Sequence, residues 1–493
     1  MPRESSIVIA SNRGPISFLP ADDGFATKRG AGGLAGALDP VARELGIDAV
    51  WVAAAVSETD REALHAGAAD QLPELLGYSV YLLDIEPEMY SKYYDVVSNQ
   101  MLWFANHCLW DELHITNFGA DEIAAWDEAY EPVNHQFASA ICEVAEPDGL
   151  VLVQDYHLSR LPLFLRELRP DQTIFHFTHS SFCGPDGLGQ LPDPLPRKVI
   201  EGMLGADLVG LHVAPWVHAF FDCAEKIGAT VDRREGSVTY SGRRTWVRAY
   251  PIPVDPSDLK ERAHHELASD WARNIEASAD GPLIVRADRA EPSKNIVRGF
   301  EAFGMLLDRR ADLRDAKFVA CIYPSRETMD VYQRYTREIE ESVARVNERH
   351  PDSIKLYMKD DFDRTLGAYR VYDVLLVNPL MDGMNLVSKE GPVVNERDGI
   401  LVLSKGAGSY QEMGDPAIVI DDARSVERTA DALERALDMS PEERARRAEE
   451  LRAAARRTQP SDWIDAQLAD LEAIKAGNPP VRPACLLRDQ AAQ

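Results

Sequence analysis

The chain has 493 residues, more than a single hydrophobic core organises, so two domains of roughly 200 to 250 residues each are expected. Hydrophobic residues at 45% and charged residues at 27% argue against disorder over most of the length. Lys and Arg number 53 against 81 Asp and Glu, a formal charge of −28 that disfavours nucleic acid or an anionic membrane as partner.

In chain order, short β-branched runs at residues 6–10, 49–54, 150–154, 173–176, 207–211 and 245–250 alternate with longer helical patterns. A second series follows at 283–286, 317–322, 354–357, 374–378, 400–403 and 417–420. The alternation predicts α/β architecture with two doubly wound parallel sheets in sequence. Three prolines in PIPVDP mark a boundary near 251–256. The reading therefore gives a first Rossmann-like domain at 1–253, a second at 254–455, a helix at 456–478 and a loose tail at 479–493. The stretch from Ser440 to Ala455, rich in Glu, Arg and Ala, suits an exposed helix. Six scattered cysteines without a CxxC pair fit reduced thiols. The N-terminus lacks the regions of a signal peptide and no run reaches the ~18 apolar residues of a membrane span, so a cytoplasmic location is expected.

Because any phosphorylated ligand must find local positive charge against the acidic background, cations in unusual settings matter most. Lys28 to Gly36 (KRGAGGLAG) sits between a strand and a helical stretch, where glycines let backbone N–H groups approach a phosphate; a simple tight turn is the alternative. The run LVLVQDYH reads as a buried strand ending in Asp155, Tyr156 and His157, at the carboxyl end where ligands gather in open α/β sheets. A helix N-cap is the other role open to Asp155. IFHFTHSSF ends similarly at His179, with His176 read as core. In VRADRAEPSKN, Pro292 is expected to expose a loop on which Arg289 and Lys294 neutralise a diphosphate, or form a solvated surface pair. MDGMNLVSKE places Asn385, Leu386 and Val387 at a helix start with N–H groups for phosphate, and Glu390 one turn on as a bidentate acceptor for ribose hydroxyls, or on a solvated face.

Taken together, these segments resemble the trehalose-6-phosphate synthase family of retaining glycosyltransferases from Ser11 to about Asp470. The match rests on SNR at Ser11, GGLAGAL from Gly32, Trp51, YY ahead of SNQMLW, DYHL at Asp155, SK at Ser293, PSR at Pro324 and DGMNLVSKE at Asp382. The resemblance implies a GT-B architecture, two Rossmann-like domains across a cleft, with a C-terminal helix crossing back to the first. It implies Arg289 and Lys294 on the donor diphosphate, Asn385, Leu386 and Val387 beside it, Glu390 on the ribose, and Gly32 and Gly33 against the phosphates. His179 and Asp382 would contact the transferred sugar, and Asp155 would face the reacting region. Arg13, Trp51, Tyr94, Trp103 and Arg326 would bind the acceptor. The implied reaction joins a nucleoside diphosphate glucose to glucose 6-phosphate by front-face transfer, with no metal or other cofactor; a homo-oligomer is compatible with it.

The chain departs from the family pattern in three places. HxPFP has become HSSFC at 179–183, RLDYSKG has become RAEPSKN at 289–295, and the Arg usually before DGMN is Met381. With VVNERD at 393–398, these changes resemble a branch containing guanosine-using enzymes and pseudo-glycosyltransferases. They favour GDP-glucose over UDP-glucose as donor, and keep open a cyclitol-coupling pseudo-glycosyltransferase or a non-catalytic sugar-phosphate sensor.

Overall fold

Residues 5–22, 24–29, 38–40, 42–43, 46–115 and 117–481 are described by the computed structural model. The chain divides into one unit spanning Met1–Pro251 with the residues from Ser461 onward, and a second spanning Ile252–Pro460. Among the described residues, no helix is long and apolar enough to cross a membrane.

The first unit is built on strands β1 (Ser5–Arg13), β4 (Ala49–Ala54), β5 (Ser79–Leu83), β6 (Ala145–Gln154), β7 (Thr173–Phe177) and β8 (Leu208–Leu211), all parallel, in the order β5-β4-β1-β6-β7-β8. This is the doubly wound order in which the chain starts in the middle, builds outward, then returns to the other side of β1. The inner strands are buried on both faces, hence their unbroken apolar runs. Two features depart from the expected parallel sheet. Strand β11 (Arg243–Ala249) pairs parallel with β8 but continues into an antiparallel extension through β10 (Ser237–Tyr240) and β9 (Thr230–Asp232). A hairpin of β2 (Ile16–Ala21) and β3 (Gly24–Arg29) stands apart from the sheet.

The last helix of the chain, Pro460–Lys475, belongs to this first unit from Ser461 onward. Its attachment is polar as well as apolar. Tyr250 donates from Oη to Asp470 Oδ2 at 2.6 Å, the Val481 N–H donates to Asp470 Oδ1 at 2.7 Å, and Trp463 Nε1 donates to the Tyr250 carbonyl at 3.0 Å. Burial holds the Asp470 carboxyl above its usual range.

The second unit repeats the order with β12 (Leu283–Arg289), β13 (Lys317–Tyr323), β14 (Ile354–Met358), β15 (Val374–Val377), β16 (Ile400–Ser404) and β17 (Ile418–Ile420), arranged β14-β13-β12-β15-β16-β17. Strand alternation sorts its core into two layers. Leu283, Val285, Ala287, Val319 and Leu375 face one layer, and Ile284, Phe318, Ala320, Val374 and Leu376 face the other. Helix starts carry their own chemistry. Asp255 caps Pro256–Ala263 by accepting from the N–H groups of Ser257 and Asp258, with proline at the first helical position. Gly299 lets the helix Ile296–Arg309 approach the sheet, because a Cβ there would lie 2.5 Å from Arg286 Nη1.

Candidate active site

In a doubly wound sheet, ligands gather beyond the carboxyl ends of the strands, at the point where strand order reverses. That point lies between β1 and β6 in the first unit, and between β12 and β15 in the second. Arg13 and Asp155 end one pair of strands; Arg289 and the loop reaching Asp382 end the other.

At the first switch point, Asp155 follows β6 with φ 72° and ψ 166°, a region that a non-glycine residue occupies at a cost of about 1–3 kcal/mol. Its side chain does not cap the short turn Tyr156–Leu158, so the N-cap reading gives way. Instead Oδ1 accepts the His179 N–H at 3.1 Å, tying the ends of β6 and β7 together. The His179 ring sits with Nε2 2.9 Å from Gln154 Oε1. Burial, with the neighbouring imidazoles of His212 and His176, holds its pKa well below the usual histidine value. The ring is therefore neutral; with Nε2–H donating to Gln154, Nδ1 is the acceptor. Phe177 and Trp463 pack beside it, with ring centroids 4.7 and 6.5 Å from that of His179. His176 is wholly buried, as expected for a core residue.

Arg13 is exposed at the end of β1 and donates from Nη2 to Tyr94 Oη at 3.2 Å. Tyr94 stacks between Tyr90 and His157, at 5.5 and 5.6 Å between centroids, and His157 Nδ1 lies 3.8 Å from Asp155 Oδ2. Tyr94 is carried by Lys92–Leu102, a run of π-helical turns, which widen a helix and recur at functional sites. A guanidinium beside stacked aromatic faces suits a sugar phosphate: the cation meets the anion and the rings meet the apolar faces of the sugar. Trp103 is buried, its ring 3.9 Å from that of His107 and 5.7 Å from that of Tyr156. Trp51 corrects its expected place. It is fully buried in β4, flanked by β1 and β5, and its Nε1 donates to Ser11 Oγ at 2.8 Å, so it supports β1 from the core. Gly32 and Gly33 lie outside the described residues.

At the second switch point, the turn after β12 is not the exposed loop that Pro292 suggested. Pro292, Ser293 and Lys294 form a buried single turn, and Asn295 then takes a left-handed conformation before the next helix. The solvated-pair alternative fails for Lys294, whose side chain is 10% exposed and whose Nζ is paired with Asp382 Oδ2. Burial alone would lower the lysine pKa, but Asp382 and Asp288 more than offset it and keep the ammonium charged. Asp382 also accepts from Asn385 Nδ2 at 3.0 Å and from the Gly383 N–H at 2.9 Å. Arg289 remains half-exposed and reaches Glu291 Oε1 with Nη1 at 3.2 Å. Arg326 reaches the same oxygen at 3.1 Å, so it stands beside Arg289 in the second unit, whereas Arg13, Trp51, Tyr94 and Trp103 stand in the first.

Behind this cluster, period-2 alternation puts Arg286 and Asp288 on one face of β12. The guanidinium holds the carboxylate at 2.8 Å and donates to the Lys294 carbonyl at 3.0 Å. The pair was not anticipated; two charges spaced i, i+2 in an apolar strand are the signal for it.

Leu386 and Val387 open the helix Val387–Val394; the Ser388 N–H already donates to the Asn385 carbonyl at 3.3 Å and the Lys389 N–H to the Leu386 carbonyl at 2.8 Å, so Asn385, Leu386 and Val387 carry the N–H groups to be considered for a phosphate. Asn385, with φ 66°, makes the turn into it. Glu390 lies one turn along, with Tyr369 Oη donating to its Oε2 at 3.4 Å, and burial lifts its carboxyl to about 7. A half-buried carboxylate with one long hydrogen bond retains capacity to accept from a diol. The second unit thus offers charge for a diphosphate and an acceptor for a ribose.

The sequence model of Glycosyltransferase family 20 matches residues 5–473. A trehalose-6-phosphate synthase of Mycobacterium sp. (strain KMS) is 32% identical over 500 residues, covering 97% of this chain and 97% of its own. A validamine 7-phosphate valienyltransferase of Streptomyces hygroscopicus subsp. jinggangensis is 30% identical over 492 residues, covering 96% of this chain and 95% of its own. Among solved structures, an α,α-trehalose-phosphate synthase (UDP-forming) from Burkholderia xenovorans in complex with glucose-6-phosphate aligns with a TM-score of 0.79 at 28% identity, covering 95% of this chain and 100% of that one.

Proposed function

We propose that this chain, which belongs to glycosyltransferase family 20, the trehalose-6-phosphate synthase family, and has the GT-B fold class, makes α,α-trehalose 6-phosphate from a nucleoside diphosphate glucose and glucose 6-phosphate. The observation that carries the reading is the cationic turn after β12, where Lys294 is buried against Asp382 and Arg289 is half-exposed, within the unit whose helix Val387–Val394 bears Glu390. In the proposed reaction, the bond from donor C1 to the β-phosphate oxygen breaks, and the anomeric hydroxyl of the acceptor forms a new bond to C1 on the same face. The hydroxyl proton passes to the departing diphosphate. Arg289 and Lys294 stabilise the charge that grows on that leaving group, with Asn385, Leu386 and Val387 beside it. Glu390 holds the ribose. His179, neutral and fixed by Gln154, and Asp382 orient the transferred sugar, while Asp155 fixes the His179 backbone. Arg13, Tyr94, Trp103 and Arg326 take the acceptor, supported by Trp51 behind β1.

GDP-glucose is the favoured donor over UDP-glucose, on the altered RAEPSKN and VVNERD strings. A second reading, coupling of a nucleotide-linked cyclitol to an amino-cyclitol phosphate, has two observations behind it: the loop at 179–183 lacks both prolines, and a valienyltransferase is among the relatives. Equal amounts of GDP-glucose and UDP-glucose offered with glucose 6-phosphate, with products identified by NMR, decide between these. The synthase reading expects an α,α-linked disaccharide phosphate formed mainly from GDP-glucose. Turnover only when an amine-bearing cyclitol phosphate replaces glucose 6-phosphate would select the second.

A further inference from the structure

We propose that Glu291 is a positioning residue that binds Arg289 and Arg326 into a single anion clamp; the proposal rests on the reading above that these arginines meet phosphate. One carboxylate oxygen does the work. Oε1 receives Arg326 Nη1 at 3.1 Å, Arg289 Nη1 at 3.2 Å and Ser325 Oγ at 2.9 Å. The side chain is fully buried, and Oε2 has no hydrogen-bond donor among the described residues, so the three donors converge on a single atom. The backbone extends the arrangement. The Glu291 N–H donates to the Arg289 carbonyl at 2.7 Å, and the Lys294 N–H donates to the Glu291 carbonyl at 3.0 Å. Glu291 therefore touches both cations of the turn after β12 and the one that follows β13.

Arg326 has reason to need such a hold. It sits at φ 47°, a left-handed conformation that costs a non-glycine residue energy, and its guanidinium is further fixed by Tyr332, whose Oη lies 2.8 Å from Nη1. Each arginine spends a donor on Glu291, which sets the plane of its guanidinium, and plane is what a forked phosphate contact requires. Burial pushes the Glu291 carboxyl up, while Arg289, Arg326 and Lys294 pull it down further, so it is ionised.

Charge and position make opposite predictions here, which makes the proposal testable. The cluster holds four cations (Arg286, Arg289, Lys294, Arg326) against three carboxylates (Asp288, Glu291, Asp382). Removing the Glu291 charge adds net positive charge, so electrostatics alone would tighten anion binding in Glu291→Gln. A positioning role predicts the reverse. Titration calorimetry with inorganic pyrophosphate on the full chain should show Glu291→Gln binding about tenfold more weakly than wild type, with Glu291→Asp between them because its carboxylate is one methylene short. In turnover, the KM for the nucleotide sugar and for the sugar phosphate should rise together. Unchanged or tighter pyrophosphate binding in a folded Glu291→Gln chain would overturn the proposal. If that variant does not fold, wild-type affinity in Glu291→Asp overturns it. A wild-type chain that binds no pyrophosphate overturns it as well, whereas a chain that binds pyrophosphate but turns over no nucleotide sugar sinks the functional reading and leaves the clamp scored by the titration.

Discussion

Lys294 and Arg289 have the same proposed task but stand in different surroundings, and the difference separates activity from stability. Arg289 is half-exposed and its buried partner Glu291 keeps Arg326 and Ser325, so Arg289→Ala should lower kcat/KM by about 10² to 10³ through lost leaving-group stabilisation while costing only about 1 kcal/mol of unfolding free energy. Lys294→Ala should lose comparable activity and a further about 3–5 kcal/mol of stability, because Asp382 is left buried without its cation. Urea unfolding alongside steady-state kinetics checks both; equal stability loss in the two variants would contradict the assigned burial. Glu390 gives a pH test. With its carboxyl raised to about 7 and the ionised form accepting the ribose hydroxyls, donor affinity is full above that value and falls as pH drops through it, about tenfold by one unit below. The phosphates of a nucleotide sugar do not titrate there, so calorimetric binding of the nucleotide sugar alone, without the titrating phosphate monoester of the acceptor, reads Glu390 between pH 8 and 6, and Glu390→Gln should flatten the profile. Lys294 and Glu390 could be picked out as candidates because RAEPSKN and MDGMNLVSKE are distinctive short strings, but whether each was a surface group could be read only from the fold, which buries Lys294 against Asp382. Glu291 and Gln154 could not be picked out, since a carboxylate in an arginine-rich loop looks like a surface partner until the fold buries it. Trp51 misled for the same reason: its strand was correctly read, but only the neighbours on both sides enclose the side chain.

At the scale of elements, the helix Pro460–Lys475 matters through Trp463, which packs on Phe177 and His179 and bonds the Tyr250 carbonyl. Trp463→Ala should cost about 3–5 kcal/mol and lower kcat even well below its unfolding midpoint, because the His179 ring loses a wall. Trp463→Phe, which keeps the packing and loses one hydrogen bond, should cost about 1 kcal/mol and retain most activity. Thermal melts and kcat measured on both variants test this; wild-type kcat in a folded Trp463→Ala chain would remove the helix from the site. The buried parallel strands were legible to within a few residues, since burial on both faces leaves continuous apolar runs such as 49–54 and 400–403. Half-buried β5 and the hairpin β2–β3, exposed apart from Ile16 and Phe18, escaped notice, because edge and surface strands carry mixed residues that resemble loops. Backbone strain at Asp155 was also invisible beforehand: φ is set by where β6 ends and β7 begins, not by the residue type.

For the whole molecule, a formal charge of −28 means that the two anionic substrates proposed need locally gathered cations, and the second unit gathers Arg286, Arg289, Lys294 and Arg326 around the ends of β12 and β13. The two-unit α/β plan was readable from the alternation of strands and helices. The division itself falls at Pro251 and again at Pro460, so the second boundary lies a few residues beyond the 455 expected from helix composition. Donor base was not readable with the same force, because base recognition depends on loop shape in the positions where this chain departs from its family. The most direct measurement is release of nucleoside diphosphate by the purified chain, with GDP-glucose and UDP-glucose each assayed with and without glucose 6-phosphate. Release should depend on glucose 6-phosphate and be faster with GDP-glucose; no release above the acceptor-free control with either donor would contradict the proposed function.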